Sequence, residues 1–328
     1  MTKFKLNLRY FDVINKTTST GGGNELSPEM RTFYDDLLID NAEPQLVHDQ
    51  FGQKRNIPRR GGKKIQFRKY SQLPKALTPL TEGVTPEGQK LNVTTIEATV
   101  NQYGGYIMIS DMLDLTAVDN NIVEATKLLG SQAGRTLDTV TREVLNGGTS
   151  VIYGDSSVSS RSAVTSSMKL TVNVIKRAIR QLKTQNAPKI NGYYVAIIHP
   201  DTEFDLTSDP EWVDANKYTT GDHAWISEIG KIGICRFVES SEAKIFAKAG
   251  SSCDIYSTIV LGANAYGVTN IQGGGLETIV KQLGSSGTAD PLNQRATVGW
   301  KATKTAERLV ETYMVRCETA SSFNSGVN

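Results

Sequence analysis

Apolar residues recur at steps of three and four from Val118 onward. Val118, Ile122, Ala125, Leu129, Ala133, Leu137, Val140 and Val144 fall on one face, and that period predicts an amphipathic helix over 119–146. Thr116 or Asp119 can cap its start, and Gly147-Gly148 ends it. At 1.5 Å rise per residue the helix is a rod of about 42 Å. Gly130 and Gly134 share a face inside it, each costing about 1 kcal/mol relative to Ala. Close packing of another element against that face is the expectation.

A period of two takes over elsewhere. Residues 64–70 place Ile65 and Phe67 on one face, and residues 92–101 place Ile96, Ala98 and Val100 on one face. Pro74, Pro79, Pro86, Gly83 and Gly88 lie between them. The pattern predicts a long β-hairpin with a Pro/Gly-rich tip. Two strands with so few apolar residues are marginal in water, so a surface outside the hairpin must cover it. Residues 106–115 read as a strand entering a turn. Thr171 starts a second helix with Val172, Ile175, Ile179 and Leu182 on its buried side, stopping before Pro188. Residues 193–198 read as a buried strand, and Asp201 or Thr202 opens a short helix through Phe204 and Leu206. Residues 225–238 hold a turn and a strand, and 242–262 alternate. Strands are expected at 276–283, 295–301 and 309–318 around a glycine loop at 284–291, with the long helix as their lid. At the front, the polar stretch 17–24 reads as part of an arm. Ser27, Pro28 and Glu29 then open a helix carrying Met30, Phe33, Leu37 and Leu38.

Charge narrows the function classes. The 328 residues hold 36 Lys+Arg against 34 Asp+Glu, a net +2. That balance excludes a wholesale polyanion binder but not a local basic patch. Such a patch exists: 54–75 contain nine basic residues and no acid. A solvated strand face, contact with an acidic partner chain, and contact with phosphate all account for it, the last making a nucleic-acid-binding protein the alternative function. Three widely spaced cysteines, Cys235, Cys253 and Cys317, argue against a disulfide framework and for a reducing compartment. No apolar run approaches bilayer-spanning length, and the N-terminus shows no signal-peptide pattern.

Chemistry is sparse. The three histidines, His48, His199 and His223, form no ligand set with the isolated cysteines. Gly61-Gly62-Lys63-Lys64 precedes a strand, whereas a phosphate loop follows one and opens a helix. Glu203, Asp205, Asp209, Glu211 and Asp214 read as a solvated helix face and loop. A hydrolase site scattered around His199, Asp201 and Glu203 is the weakest of the three function hypotheses. No cofactor or metal is expected.

Particular strings carry a resemblance. Leu80-Thr81-Glu82-Gly83-Val84-Thr85-Pro86, Ile109-Ser110-Asp111, Ala289-Asp290-Pro291-Leu292-Asn293-Gln294 and Val298-Gly299-Trp300-Lys301 resemble the N4-like branch of tailed-bacteriophage major capsid proteins, and the order of parts resembles their Hong Kong 97-type fold. The resemblance implies an α+β fold and no enzyme. Residues 1–53 would be an N-arm and 54–104 an extended loop over a neighbouring subunit. Residues 105–164 and 273–328 would form a peripheral domain with spine helix 119–146, and 165–272 an α/β axial domain. It implies inter-subunit contacts at Arg59, Arg60, Lys63, Lys64, Phe67, Arg68, Lys69, Glu82 and Pro86, and spine packing through Ile122, Leu129, Gly130, Gly134, Leu137 and Val144. The implied partners are copies of the chain in pentamers and hexamers, packaged DNA on the inner face, and scaffold, portal and decoration proteins, with no membrane. The implied place is the virion, after assembly in the host cytoplasm. No N-terminal scaffolding segment is evident, so a separate scaffold, or none, is expected.

Overall fold

In chain order the computed structural model begins with four strands, β1 (Gln53–Ile57), β2 (Lys64–Tyr70), β3 (Val93–Thr99) and β4 (Asn101–Ser110). Helices α1 (Asp111–Thr116) and α2 (Asn121–Asn146) follow. After β5 (Val151–Tyr153) and α3 (Val172–Thr184) come β6 (Tyr194–Ile198), α4 (Pro200–Thr207) and α5 (Pro210–Asn216). The remainder is strand: β7 (Glu228–Ile232), β8 (Cys235–Glu239), β9 (Ile245–Phe246), β10 (Ile255–Leu261), β11 (Tyr266–Ile271), β12 (Glu277–Lys281), β13 (Arg295–Arg308) and β14 (Met314–Thr319). The structure describes residues 47–70, 73–85, 87–116, 121–216, 227–285 and 290–326. The arm, the helix expected at 27–38, Pro86 and His223 lie outside the described residues.

Contacts divide the chain into two units. The larger holds the hairpin, 134–275 and the chain from Thr303 on. Its centre is a seven-stranded sheet ordered β5-β14-β10-β6-β8-β7, with β9 beside β10. β6 explains why an unbroken apolar run is needed: Tyr194, Ala196 and Ile198 enter one core, while Val195 and Ile197 enter another on the opposite face. β10 and β14 divide in the same way, with Val260, Val315 and Cys317 on the first side and Ile259, Leu261 and Met314 on the second. A strand covered on both faces cannot alternate with polar residues. Val172, Ile175, Ile179 and Leu182 bring α3 onto the first side. Val47, Phe51 and Leu145 cover the second.

Polar groups from distant parts of the sequence close this second side. His48 Nδ1 lies 2.6 Å from Asp138 Oδ2, and the His48 amide donates to Asp138 Oδ1. Lys304 Nζ donates to Asp49 and to the Leu137 carbonyl, and Thr141 donates to Asp49. Tyr266 donates its hydroxyl to the His48 carbonyl. Burial pushes the Lys304 ammonium below the usual lysine range, against the pull of Asp49.

The smaller unit comprises, among the described residues, Gln102–Ala133 and Leu276–Ala302. β12 pairs antiparallel with β13, from Glu277↔Lys301 to Lys281↔Thr297. Ala296, Val298, Trp300 and Ala302 are buried, as are Ile109, Leu113, Ala125, Leu129 and Ala133. Trp300 Nε1 donates to Gln132 Oε1 over 3.1 Å, so the first half of α2 does lid these strands.

Four expectations change. Residues 111–116 form α1, not a turn, because Ser110 Oγ and Asp111 Oδ1 accept the first free amides, from Leu113 and Met112. β13 runs through Arg308 because its last residues pair with β11, from Thr269↔Thr305 to Tyr266↔Arg308. Residues 309–313 are not strand: a tight turn at Glu311–Tyr313 intervenes. Met314–Thr319 then pairs with β10 in the central sheet, not with the strands beside the long helix.

Leu129→Asp places an unpaired charge in a closed core and should abolish cooperative folding, read by circular dichroism and thermal melting. Lys304→Met should lower stability by about 3 kcal/mol, because Asp49 loses its cation and the Leu137 carbonyl its donor. Denaturant unfolding of unassembled subunit measures it, and an unchanged midpoint would show that the cluster contributes nothing.

Candidate assembly surface

The hairpin is built by seven consecutive antiparallel pairs, from Lys64↔Thr99 to Tyr70↔Val93. Opposed residues share a face, so Ile65 with Ala98 and Phe67 with Ile96 make one apolar stripe. Phe67, Ala98 and the adjoining Val100 are buried. The Phe67 ring lies over Gly267 of β11, where an added Cβ would approach the ring to 2.8 Å. β1 runs parallel to β11, pairing Gln53↔Gly267 through Ile57↔Ile271. The root of the hairpin is therefore covered by its own chain. The Phe67 ring is seated on its own chain. β1 likewise belongs to the sheet with β11 and not to a free loop.

The other face is solvated. Arg59, Arg60, Lys63, Lys64, Arg68 and Lys69 are all exposed. Lys64 reaches Glu97 at 3.6 Å, an exposed pair of small energetic weight. Pro58 accepts the Gly61 amide at 2.9 Å, and Arg60 closes this turn at φ 70°. A non-glycine residue there is uncommon, and it sets Arg59 and Arg60 outward on one tight bend. A 230 Å³ cleft opens at the hairpin root, lined by Arg55, Arg68 and Lys69 with Phe67, Ile96 and Leu309.

Beyond Tyr70 the cover ends. Thr81 accepts the Val84 amide at 3.2 Å, with Gly83 at φ 77° supplying the left-handed third position of a turn around Glu82. Leu77 is 81%, Leu80 77%, Val84 63% and Leu91 68% exposed. Leu73 and Tyr70 are exposed as well. This is a continuous run of large apolar side chains with no core, the surface that marks a docking site. Sequence reading registered the prolines and glycines here and, through the resemblance, Glu82 and Pro86 as contacts, but not the exposed leucines. The available signal was isolated leucines that fit neither a helical nor a strand period.

The spine residues divide. Leu129 and Leu137 are buried, and Val144 is half-buried. The Ile122 side chain lies outside the described set, and Gly134 is half-buried. Among the described residues no atom lies within 4 Å of a Cβ built at Gly130. His199, Asp201 and Glu203 gather at the start of α4 as helix-end chemistry. His199 Nδ1 accepts the Asp201 amide at 3.1 Å, and Asp201 accepts the Tyr256 hydroxyl at 2.6 Å. Burial lowers the His199 pKa, with Asp201 opposing. Among the described residues no group of three or more His, Cys, Asp or Glu is placed to hold a metal ion, and no helix is long and apolar enough to cross a membrane.

A family model described as phage capsid protein matches residues 93–306. The fold resembles the capsid of Ralstonia phage GP4, with TM-score 0.71 and 14% identity over 95% of this chain and 100% of that one. It also resembles the capsid asymmetric unit of cyanophage Pam1, with TM-score 0.67 and 15% identity over 99% and 100%. The capsid of cyanophage P-SCSP1u gives 0.66 and 14% over 89% and 93%. No curated protein matches in sequence.

Gly267→Val should displace the Phe67 ring and loosen the hairpin root, costing about 2 kcal/mol. Limited proteolysis should then cut within 58–70 faster than in the native chain. Equal cleavage rates would mean that the root is not held by this contact.

Proposed function

The chain belongs to the phage capsid protein family, and from that premise we propose how its copies meet. It is a major capsid structural protein, from a family that is not an enzyme class. Its copies tile an icosahedral head as pentamers and hexamers around packaged double-stranded DNA. The fold is read as Hong Kong 97-type and the branch as N4-like. In this reading 1–53 is an N-arm, α2 the spine, and the sheet-centred α/β region the part that meets around the symmetry axes. The hairpin beyond Tyr70 is the extended loop that lies across a neighbour. Scaffold, portal and decoration proteins are the further partners, and the head is assembled in the host cytoplasm before it becomes part of the virion.

One observation carries this reading: the tip presents Leu77, Leu80, Val84 and Leu91 to solvent. Water exacts roughly 25 cal/mol for every Å² of apolar surface left uncovered, and an adjacent copy supplies the cover. Obligate assemblies bury thousands of Å² per subunit, so a loop that contributes to several edges is in keeping. Many weak contacts acting together then close a strong shell.

Deleting 74–88 should leave a subunit with native circular dichroism and cooperative unfolding that forms no particles in negative-stain electron microscopy. Shells of normal size from the deletion would sink the proposal, and an unfolded subunit would place the tip in the core instead.

A further inference from the structure

A second acid-free segment lies outside the hairpin. Residues 156–200 hold seven Lys and Arg and no Asp or Glu. Four of these cations are on α3, whose other face is committed to the core through Val172, Ile175, Ile179 and Leu182. Lys176, Arg180 and Lys183 are exposed. Spacings of four and three set them in one row on the helix surface, about 10 Å long at 1.5 Å per residue. Lys189, just beyond the turn at Asn186, is exposed as well. The acidic neighbours gather toward the start of α3. There Asp209 accepts the Val172 amide over 3.0 Å, and Glu211 pairs with Lys176. That pair is exposed and of small energetic weight. Among the described residues no ion pair reaches Arg180, Lys183 or Lys189. The helix dipole favours a cation in the last turn, where Lys183 stands, but it does not call for a row that starts at Lys176. Because α3 is packed on the central sheet, this row is carried by a rigid body, whereas the hairpin's cations ride on a two-stranded ribbon.

We propose that the outer face of α3 is a surface for the phosphate backbone of double-stranded DNA, with Arg180 and Lys183 at its centre. The assignment rests on the reading that the copies enclose DNA, and adds which face of the central-sheet region meets it. A duplex carries one charge per about 1.7 Å of axis, so a short row of fixed cations finds phosphates at any position along it. Contacts of this kind position a duplex without reading its sequence. That suits a shell whose inner face must accept every stretch of a genome. Two or three such contacts per copy are weak alone, and repetition over many copies makes them count.

Fluorescence anisotropy of a labelled 25-base-pair duplex of mixed sequence, titrated with unassembled full chain over a salt series, tests the surface. Arg180→Glu with Lys183→Glu should weaken binding about tenfold or more and flatten the slope of log affinity against log salt by about two. The milder Arg180→Gln with Lys183→Gln should flatten the slope as well, and circular dichroism should show both variants folded. A slope left unchanged in the α3 variants would overturn the proposal. So would a slope moved equally by Arg59→Glu with Arg60→Glu, or native chain that binds no duplex at low salt. Negative-stain images of the same α3 variants separate this surface from the capsid reading. Particles should still form. Particles lost while duplex affinity stays native would assign the row to an acidic protein surface instead of DNA, overturning the proposal and leaving the capsid reading in place.

Discussion

One ribbon is held at one end only. Phe67 lies against Gly267, Ala98 and Val100 are buried near it, and β1 clamps the adjacent edge of β11. Among the described residues from Tyr70 to Val93 every one is exposed, so none is a comparable anchor. A hairpin of fully polar residues would need none, and a fully apolar one would collapse onto its own chain. This one has an apolar stripe at the root, which fixes its direction of departure, and exposed apolar side chains at the tip. That uneven distribution makes the isolated subunit incomplete in a directed way.

Such a ribbon works only if its base is rigid. The central sheet provides that, because β6, β10 and β14 are packed on both faces and cannot slide by one residue without placing each side chain in the wrong core. The pairs His48–Asp138 and Lys304–Asp49 fix the second side further. A buried charge pair adds little net stability over apolar packing, but it tolerates few alternative arrangements. Segments that open easily are those with few buried contacts and solvent-exposed backbone, and the tip fits that description.

Much of this was legible in the sequence where a single period governed a single element. The 3.6 period of α2 and α3, the unbroken apolar run of β6 and the two alternations of the hairpin each follow from local spacing. What failed to show depended on residues far apart in the chain. That the hairpin root is covered depends on Gly267 and Leu309, some 200 residues away. His48 and Asp138 are separated by 90 positions, and Lys304 and Asp49 by 255; no window contains either pair. The boundary between β13 and β14 was misplaced because Leu309, Tyr313 and Val315 suit a strand period, while the partners that decide are β11 and β10. At Gly130 the spacing suggested close packing, yet among the described residues nothing lies within 4 Å of a Cβ built there.

Net charge conceals a basic patch on the ribbon. A sum of +2 over 328 residues reads as electrostatic indifference, and for the chain as a whole it is: copies can crowd with little mutual repulsion. Yet eight cations fall within residues 54–69, which hold no acid, a local basic patch within a nearly neutral body. Screening at physiological ionic strength confines these fields to about 8 Å, so they cannot draw subunits together from afar. They act only at short range, where two surfaces already touch. Apolar area supplies the affinity and charge the orientation, a division of labour that suits a subunit whose contacts must each be weak enough to correct and specific enough to repeat.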